Sequence, residues 1–562
     1  MGAAGAGEDH AAVSALPASG RKKTGRYLLF VLLVSFLLRW ALLECKEVVG
    51  TDEVIYLALG KSLWHGQGFR LLDHPVTQCP PLLPLVTGLF SRFTENLEAG
   101  TNFTYVFFGG LLVLPYFHLA RRVHGERVAR LAALLLACYP GLLLSFYWGS
   151  MTEPLYTFLL VCAFLFAHRA LREGTARDFA LCGILLALVY LTRSEGVLFL
   201  PAFWLLAVVS LGVQGRLLQW KSMRNLALMA VCFALVSAPY PLFLKKHSGG
   251  LSVSGKTKLI LLAGAMNPVE RERLLGKLTE DGGELFDYQE LVRGKTVLGM
   301  ILENPKVLLG GSALQAVRFV STLLSWKVFP AFLLGFVVLG LFRDPWDRAR
   351  LKNEGFLLFA CLPFLVFLTF HVWPRYLLPM TPVLLLGAAR GVCALEDWLR
   401  ETAERIGGAL ERSRRRILWI PRLAVFLPLA VILAAKPIKA KMLVQYPIEY
   451  KSAGRWMDAH LPEDARILAR KPEIAYYARR IMHPLPNEDL ARVLQYARAQ
   501  SVEYLVVDEF FIATRPQLEP LLHAGDLPQD LRLLHEESAP SGRSIRVFQI
   551  LGATGPPDTD GG

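Results

Sequence analysis

The sequence predicts a polytopic α-helical membrane protein with a small α/β domain after its last membrane span. Hydrophobic residues make up 53% of the 562 residues and charged residues only 19%, whereas soluble proteins carry about a quarter charged residues. Apolar runs long enough to cross a bilayer recur over residues 27–435, and short charged connectors separate them. After residue 436 the composition becomes that of an ordinary globular domain.

The alternation of apolar runs with basic connectors predicts the topology. A basic cluster at 21–26 precedes the first apolar run, 27–43, and cationic segments favour the cytoplasmic face. No small-residue cleavage site follows this run, so we expect an anchor, with residues 1–26 as a disordered cytoplasmic tail. The pattern predicts about eleven spans, a first outer loop at 44–100 and a long outer loop at 245–310. The later spans are expected at 103–120, 131–147, 154–167, 179–192, 196–213, 226–244, 328–342, 355–371, 376–392 and 417–435.

The region after the last span predicts a small α/β domain, 436–550, on the outer face. Helical patterns alternate there with short runs rich in β-branched and aromatic residues, which is typical of such domains. The helical patterns lie at 450–460 and 488–499, and the strand-like runs at 466–469, 504–507 and 545–548. Residues 551–562 are expected to form a loose tail.

The net charge of +14 does not indicate a nucleic-acid partner. Arginine and lysine are spread over the connectors instead of forming one stripe with interleaved aromatic residues, and cytoplasmic loops account for much of the excess. The sequence contains no Walker motif, nucleotide fingerprint or zinc spacing. Cys45 and Cys79 flank an acidic loop on the predicted outer side, where a disulfide can persist. Whether they pair is left open.

An acidic pair, Asp52 and Glu53, follows directly after the first span. A carboxylate at the mouth of a membrane domain is a candidate general base. If residues 52–63 are helical, both acids share a helix face with Tyr56, and a carboxylate beside a phenol can accept a proton from a bound hydroxyl group. The alternative is an ordinary acidic loop.

Glu153 is the second acidic residue on the predicted outer side. Thr152 is placed to cap the helix that follows, and Pro154 suits its first turn because the missing N–H has no partner there. Glu153 is therefore either a site residue or a charge that favours the helix N-terminus.

Two further motifs place cations on the same side. Arg193 could bind an anionic head group or be neutralised by Glu195. Arg375 could grip a phosphate through its planar fork, and Tyr376 could donate a hydrogen bond. The alternative for the second motif is an aromatic belt with an arginine that reaches the membrane interface.

Five short motifs together resemble the lipid-dependent glycosyltransferases of the GT-C superfamily. The likeness is to the bacterial branch related to protein O-mannosyltransferases and to the aminoarabinose transferase of lipid A. It covers about residues 27–435, and the stretch 471–477 also looks like the outer domain of that branch. The motifs are Asp52-Glu53-x-x-Tyr56, Pro80-Pro81-Leu82, Thr152-Glu153-Pro154-Leu155, Thr192-Arg193-Ser194-Glu195-Gly196 and Arg375-Tyr376-Leu377-Leu378-Pro379.

The resemblance implies an inverting transfer of a sugar from a polyprenyl-phosphate donor to a hydroxyl group of a glycan, lipid or protein. Asp52 would be the base, and Glu53 would support it or contact the acceptor. Arg193 and Arg375 would neutralise the leaving phosphate, and Glu153 would orient a polar network. The implied location is a bacterial inner membrane, with the site and the outer domain on the periplasmic face. No metal or cofactor is expected, although a divalent cation between Asp52 and Glu153 is left open.

Two other classes of protein fit the same composition. A transporter or flippase for a lipid-linked or anionic substrate would also combine many spans with buried charge, but the sequence lacks an internal duplication. The candidate residues also gather at one face and not at the midplane of the membrane. A non-catalytic scaffold that binds lipid-linked sugar is the third possibility.

Overall fold

The computed structural model shows a bundle of long apolar helices joined to a C-terminal unit built on a mixed sheet. It describes residues 18–43, 46, 48–71, 74–91, 93, 97–144, 151–248, 250, 252–265, 276–278, 292, 294–303, 312–343, 345–368, 372–406, 414–443, 447–523, 527–540 and 542–552. The helices before the C-terminal unit are Ala18–Leu43, Thr51–Trp64, Leu82–Ser91, Leu97–Leu111, Val113–Ala137, Pro140–Leu144, Glu153–Glu173, Ala176–Thr192, Phe199–Val213, Trp220–Ser237, Pro239–Ser248, Thr257–Ala265, Val297–Glu303, Ser312–Leu323, Phe332–Phe342, Arg348–Cys361, Pro374–Leu377, Thr381–Ile406, Arg414–Ile417 and Ile420–Leu443.

Within the described residues, six helices are long and apolar enough to cross a membrane, or seven if one bent pair counts as a single span. The six are Lys22–Leu43, Glu98–Leu144, Glu153–Glu173, Ser194–Val213, Arg348–Leu368 and Pro374–Ile406, and the bent pair is Trp220–Ser237 with Pro239–His247. These long apolar helices agree with the prediction of an α-helical membrane protein. The predicted number of eleven spans stays a prediction.

Part of the difference in number comes from one long helical stretch. Glu98–Leu144 has 47 residues, which as one straight helix would measure about 70 Å, roughly twice a hydrocarbon core. Gly125 interrupts it with φ 82° and ψ 175°, a conformation that a residue with a Cβ atom rarely adopts. The two predicted spans 103–120 and 131–147 lie on either side of this break. They therefore correspond to only one of the six helices named above.

The C-terminal unit contains a five-stranded sheet of order β4-β3-β5-β7-β6. Strands β3, β4 and β5 are parallel, and β7 pairs antiparallel with both β5 and β6. Buried clusters cover the two faces of this sheet, one around Leu505 and Phe548 and the other around Ile467 and Val547. The strands are β3 Arg466–Ala469, β4 Ile481–Pro484, β5 Tyr504–Asp508, β6 Leu531–Ser538 and β7 Ser544–Ile550, the helices are Ile448–His460, Pro472–Ala478 and Leu490–Ala499, and a separate hairpin pairs β1 Arg70–Leu71 with β2 His74–Pro75.

Candidate functional site

Asp52 lies in the first turn of the helix Thr51–Trp64, close to the predicted helix 52–63. Its side chain is 42% exposed, and its Oδ2 atom accepts a hydrogen bond from Arg375 Nη1 at 2.8 Å. Among the described residues, Oδ1 has no hydrogen-bond partner. One oxygen of this carboxylate is therefore held by a cation, and the other remains available to a bound molecule.

Arg375 joins Asp52 to a second, fully buried carboxylate. Its Nε atom donates to Glu153 Oε1 at 2.9 Å, and the Glu153 side chain is 0% exposed. The guanidinium thus lies between the two acids for which the sequence left a divalent cation open. Arg375, which bridges two carboxylates, is therefore an ion-paired residue of the network with a side chain that is 18% exposed. The alternative of an arginine that reaches the membrane interface is not tested by these contacts.

Arg193 extends the same network toward a third carboxylate. Its Nη1 atom donates to Glu153 Oε1 at 2.6 Å, and its Nε atom donates to Glu195 Oε1. Arg193 is thus ion-paired with Glu195, as one alternative for this motif predicted, and it is linked to Asp52 through Glu153 and Arg375. Its binding of an anionic head group stays a prediction. Gly196 permits the turn, because a Cβ atom there would lie 2.7 Å from Tyr190 N.

Aromatic rings cover the two guanidinium groups. Arg193 lies over the rings of Tyr376 and Tyr156, with its Cζ atom 5.1 Å and 5.5 Å from their centroids. Tyr376 stacks on Phe367 at 5.0 Å. Cation–π contacts of this kind hold a guanidinium in place without neutralising its charge.

Among the described residues, neither Arg193 Nη2 nor Arg375 Nη2 has a hydrogen-bond partner. Five charged groups (Asp52, Arg375, Glu153, Arg193 and Glu195) therefore form one connected network with two remaining donors at the arginines. Such donors suit an anionic oxygen of a bound phosphate.

Glu53 points into a different environment from that of Asp52. Its side chain is 3% exposed and forms an ion pair with Lys46, and it accepts hydrogen bonds from Thr101 Oγ1 at 2.6 Å and from the Gly50 N–H at 3.2 Å. Lys46 also donates to Asn102. These contacts favour a supporting role for Glu53 over a contact with the acceptor.

Tyr56 lies one helical turn after Asp52 and is buried. Burial raises the pKa of its phenol well above the ordinary value of 10.0, so the group keeps its proton. Burial also raises the pKa of the neighbouring Cys79 thiol. Cys45 lies outside the described residues, so its pairing with Cys79 stays a prediction.

Thr152 does not cap the helix Glu153–Glu173, and that prediction is wrong. Its backbone is already helical, with φ −66° and ψ −21°, and its side chain makes no capping hydrogen bond. The hydroxyl group accepts instead from Arg193 Nη1 at 3.1 Å. A longer-range contact with a cation has replaced the local cap. Pro154 lies in the first turn of the helix, as predicted.

The C-terminal unit contacts the helix that carries Asp52, which the sequence reasoning missed. Thr51 Oγ1 donates to Glu473 Oε1 at 2.6 Å, and Tyr477 Oη accepts from the Val49 N–H at 2.9 Å. Val54 also packs in the same buried cluster as Tyr477. The only sequence signal was the resemblance of 471–477 to an outer domain, which did not indicate this contact.

Comparison with known proteins shows which family and which solved structures the chain resembles. Residues 73–240 match the family described as dolichyl-phosphate-mannose-protein mannosyltransferase. The fold matches the apo oligosaccharyltransferase of Archaeoglobus fulgidus with a TM-score of 0.57 and 19% identity, covering 86% of this chain and 69% of that one. The chain thus resembles the GT-C glycosyltransferases by family model over this segment and by fold.

Two further solved structures share the GT-C fold. ArnT from Cupriavidus metallidurans, bound to undecaprenyl phosphate, matches with a TM-score of 0.54 and 15% identity over 96% of this chain and all of that one. The A. fulgidus enzyme AglB, in complex with an inhibitory peptide and a dolichol-phosphate, matches with a TM-score of 0.56 and 18% identity over 93% and 74%. No curated protein sequence matches the chain.

The resemblance to GT-C glycosyltransferases predicted from five motifs is thus confirmed. Two of those motifs, Pro80-Pro81-Leu82 and Thr152-Glu153-Pro154-Leu155, lie inside the matched segment. The motif around Thr192-Arg193 lies there too, whereas Asp52 and Arg375 lie outside it. The roles of the candidate site residues therefore rest on their geometry.

Proposed function

We propose that this protein is a glycosyltransferase that moves a sugar from a polyprenyl-phosphate donor to an acceptor hydroxyl group on the non-cytoplasmic face of a membrane, with inversion. The carrier class is supported by the fold neighbours, which were solved with a dolichol-phosphate and with undecaprenyl phosphate. The observation that carries the proposal is the position of Asp52. It is the most exposed carboxylate of the network, and Arg375 holds only one of its two oxygens.

In the proposed step, the acceptor oxygen attacks the anomeric carbon of the donor sugar. Asp52 Oδ1 takes the hydroxyl proton as the new carbon–oxygen bond forms. The bond between the anomeric carbon and the phosphate oxygen breaks, and polyprenyl phosphate leaves with one additional negative charge. A single displacement of this kind inverts the anomeric centre. A positioned base contributes about a hundred- to ten-thousand-fold to such a rate.

The two arginines would stabilise the charge that develops on the leaving phosphate. Arg193 and Arg375 are held in place by Glu153, so their remaining N–H groups are oriented before the polyprenyl-phosphate sugar binds. Hydrogen-bond donors that are fixed in advance stabilise a developing charge without reorganisation. One such donor contributes about a hundred- to a thousand-fold to the reaction rate. Glu53 would support the loop through Lys46 and take no part in proton transfer.

Transport of a lipid-linked substrate, the alternative from sequence, is less well supported. The family match and the fold neighbours are glycosyltransferases, and the charged network lies at helix ends. Glu153 begins its span, Arg193 follows the helix Ala176–Thr192, and Arg375 lies in the first turn of its span.

The proposal is tested by purifying the full chain into lipid nanodiscs and supplying a polyprenyl-phosphate sugar labelled in the sugar. A membrane extract serves as the pool of acceptors, and transfer of the label is measured. We expect Asp52→Asn to reduce transfer at least a hundredfold. The matched control is Asp530→Asn, which alters a half-exposed carboxylate that pairs with Arg498 in the C-terminal unit. Unchanged turnover in Asp52→Asn would show that the base is wrongly assigned.

The predicted orientation needs its own measurement. A reporter fused after residue 440 should read as non-cytoplasmic, because the last predicted span, 417–435, leads outward. A cytoplasmic reading would overturn the orientation of the site and of the C-terminal unit.

A further inference from the structure

A polar cavity of about 590 Å³ lies at the opposite end of the helices that carry the candidate site. Arg375 is in the first turn of the span Pro374–Ile406, and Arg390, which lines the cavity, follows 15 residues later, about 22 Å along a helix axis. Glu153 begins another span. His168 follows it at the same separation along that helix and contacts Asn353, which lines the cavity. The volume is in the range of small-molecule sites.

The wall of the cavity is rich in guanidinium groups. Four arginines line it against two aspartates, which are Arg127, Arg343, Arg350, Arg390, Asp347 and Asp397. Several arginines are anchored by acids, as Arg390 is by Glu354 Oε1 at 2.7 Å and Arg343 by Glu401 at 2.8 Å. Anchored arginines present fixed donors, which suits recognition of a phosphate group.

His124 supplies a buried donor that faces this wall. Arg390 Nη1 lies 3.2 Å from His124 Nδ1, and because a guanidinium only donates, Nδ1 accepts and the proton of the neutral ring is on Nε2. The side chain is 5% exposed, and Nε2 has no hydrogen-bond partner among the described residues. Its distance to Glu354 Oε1 is 3.9 Å, too long for a hydrogen bond. A buried donor without an acceptor is costly, so an oxygen of a bound ligand is its expected partner.

Three tryptophans that contact or adjoin residues in or next to the cavity wall indicate that the cavity lies at the level of lipid head groups. Trp346 lies between two residues of the wall and covers Arg350 at 4.7 Å. Trp398 follows Asp397, and Trp419 covers Arg422, which pairs with Glu396 next to the cavity. All three indole rings are about half exposed. Tryptophan is enriched at the membrane–water interface, where one face of the ring is in lipid and its N–H is in water.

We propose that this cavity binds the phosphate of an anionic phospholipid head group. His124 Nε2 donates to a phosphate oxygen. Arg390 and Arg343, which their acidic partners hold in place, lie in the wall around the phosphate. Basic pockets between transmembrane helices on the cytoplasmic side recognise such head groups, and the acyl chains remain in the bilayer beside the tryptophans. The site is separate from the network around Asp52, so the assignment does not depend on the proposed glycosyl transfer.

The test uses the full chain in detergent micelles, titrated with short-chain phosphatidylglycerol and measured by native mass spectrometry. Phosphatidylcholine of the same chain length and inorganic phosphate are titrated in parallel. The main variant is His124→Phe, which keeps an aromatic ring and removes the donor. His118→Phe is the matched control, since His118 is on the same helix, is exposed and does not line the cavity.

We expect His124→Phe to weaken phosphatidylglycerol binding about tenfold or more, as the loss of a hydrogen bond to a charged group does. His118→Phe should bind like the unaltered chain, and phosphatidylcholine should bind weakly to all three proteins. Arg343→Gln provides a second variant if His124→Phe does not fold, because its partner Glu401 is half exposed and is not left buried without a counter-charge. This variant should also weaken binding.

Three outcomes would overturn the assignment. The first is phosphatidylglycerol binding in both His124→Phe and Arg343→Gln that equals binding in His118→Phe. The second is equal binding of phosphatidylcholine, which would remove the requirement for an anionic head group. The third is inorganic phosphate binding that is lost in His124→Phe while lipid binding is kept, which would identify a soluble phosphate ligand.

Discussion

Thr51 Oγ1 donates a hydrogen bond to Glu473 Oε1 at 2.6 Å, although 422 positions separate the two residues in the sequence. Thr51 is the first residue of the helix that carries Asp52 in the following position. Glu473 belongs to the helix Pro472–Ala478 of the C-terminal unit and is buried. The C-terminal unit therefore helps to set the orientation of the candidate base.

We expect Thr51→Val to lower the turnover number about tenfold, with a smaller change in KM for the donor. The substitution keeps the shape of the side chain and removes the donor to Glu473, so Asp52 is held less firmly, and small misplacements of reacting groups are costly. Steady-state kinetics measure the effect. Thr514→Val is the control, since among the described residues its hydroxyl group makes a single, local bond to Phe511 O. Equal losses in both variants would contradict a role for the Thr51 contact.

We expect Glu473 to make the stability of the protein depend on pH. Burial raises the pKa of Glu473 above its ordinary value of 4.5, so the folded state binds this proton more tightly than the unfolded state. The contribution of Glu473 to the free energy of unfolding is then full at low pH, and it falls as pH rises through the raised pKa.

We therefore expect Glu473→Gln to show a smaller gain in Tm than the unaltered chain when pH is lowered from about 7.5 to 5. Glutamine stays neutral and can still accept from Thr51, so the variant removes the titration and keeps the contact. Thermal unfolding followed by intrinsic fluorescence at several pH values measures this. A parallel pH profile for the two proteins would show that Glu473 does not titrate in this window.

Glu153 and Glu195 provide a matched pair for stability, because both accept from Arg193 and differ in burial. Glu153→Gln would leave two buried guanidinium groups short of a counter-charge, at a cost of roughly 3 kcal/mol or more. Glu195→Gln alters a side chain that is 25% exposed, so solvent screening reduces the cost to about 1 kcal/mol or less. Unfolding in denaturant measures both, and a larger loss in Glu195→Gln would contradict the ranking.

Arg375→Lys tests whether the guanidinium group that bridges Asp52 and Glu153 is needed for activity. A lysine ammonium keeps the charge but cannot present the two nitrogen atoms with which Arg375 bridges the carboxylates. We expect the turnover number to fall about a hundredfold. Arg498→Lys is the control, because that arginine forms a half-exposed pair with Asp530. A loss of less than threefold in Arg375→Lys would show that charge alone suffices at this position.

Much of the local structure follows from pattern. The first apolar run, 27–43, lies in the helix Ala18–Leu43, and the strand-like runs at 466–469, 504–507 and 545–548 lie in β3, β5 and β7. The helix begins earlier than predicted, because residues 18–26 of the expected disordered tail are helical. Strands β4 and β6 were not predicted. Only the first residue of β6 is buried, and β4 is a short edge strand of four residues that ends in Pro484. Most side chains of these two edge strands are at least partly exposed, so the hydrophobic pattern that marks a strand is weak in both.

The candidate site divides in the same way. The predicted topology placed Asp52, Glu153, Arg193 and Arg375 on one face of the membrane. Each of them lies near the outer end of a predicted span, so they can meet at that face. Which of them touch was open, since short motifs 40 to 323 positions apart carry no pairing information. The bridging role of Arg375, the shared acceptor Glu153 and the bond from Thr51 to Glu473 appear only when the helices are packed.

The sequence by itself determined a helical membrane protein that resembles the GT-C glycosyltransferases, and it named the eight side chains of the candidate site. Hydrophobic length and basic connectors are properties of single segments, so a sequence displays them directly. Only the tertiary structure decided the separate roles of the adjacent acids. Asp52 lies toward Arg375 with one oxygen available, whereas Glu53, one position along the helix, is turned by about 100° into a buried contact with Lys46.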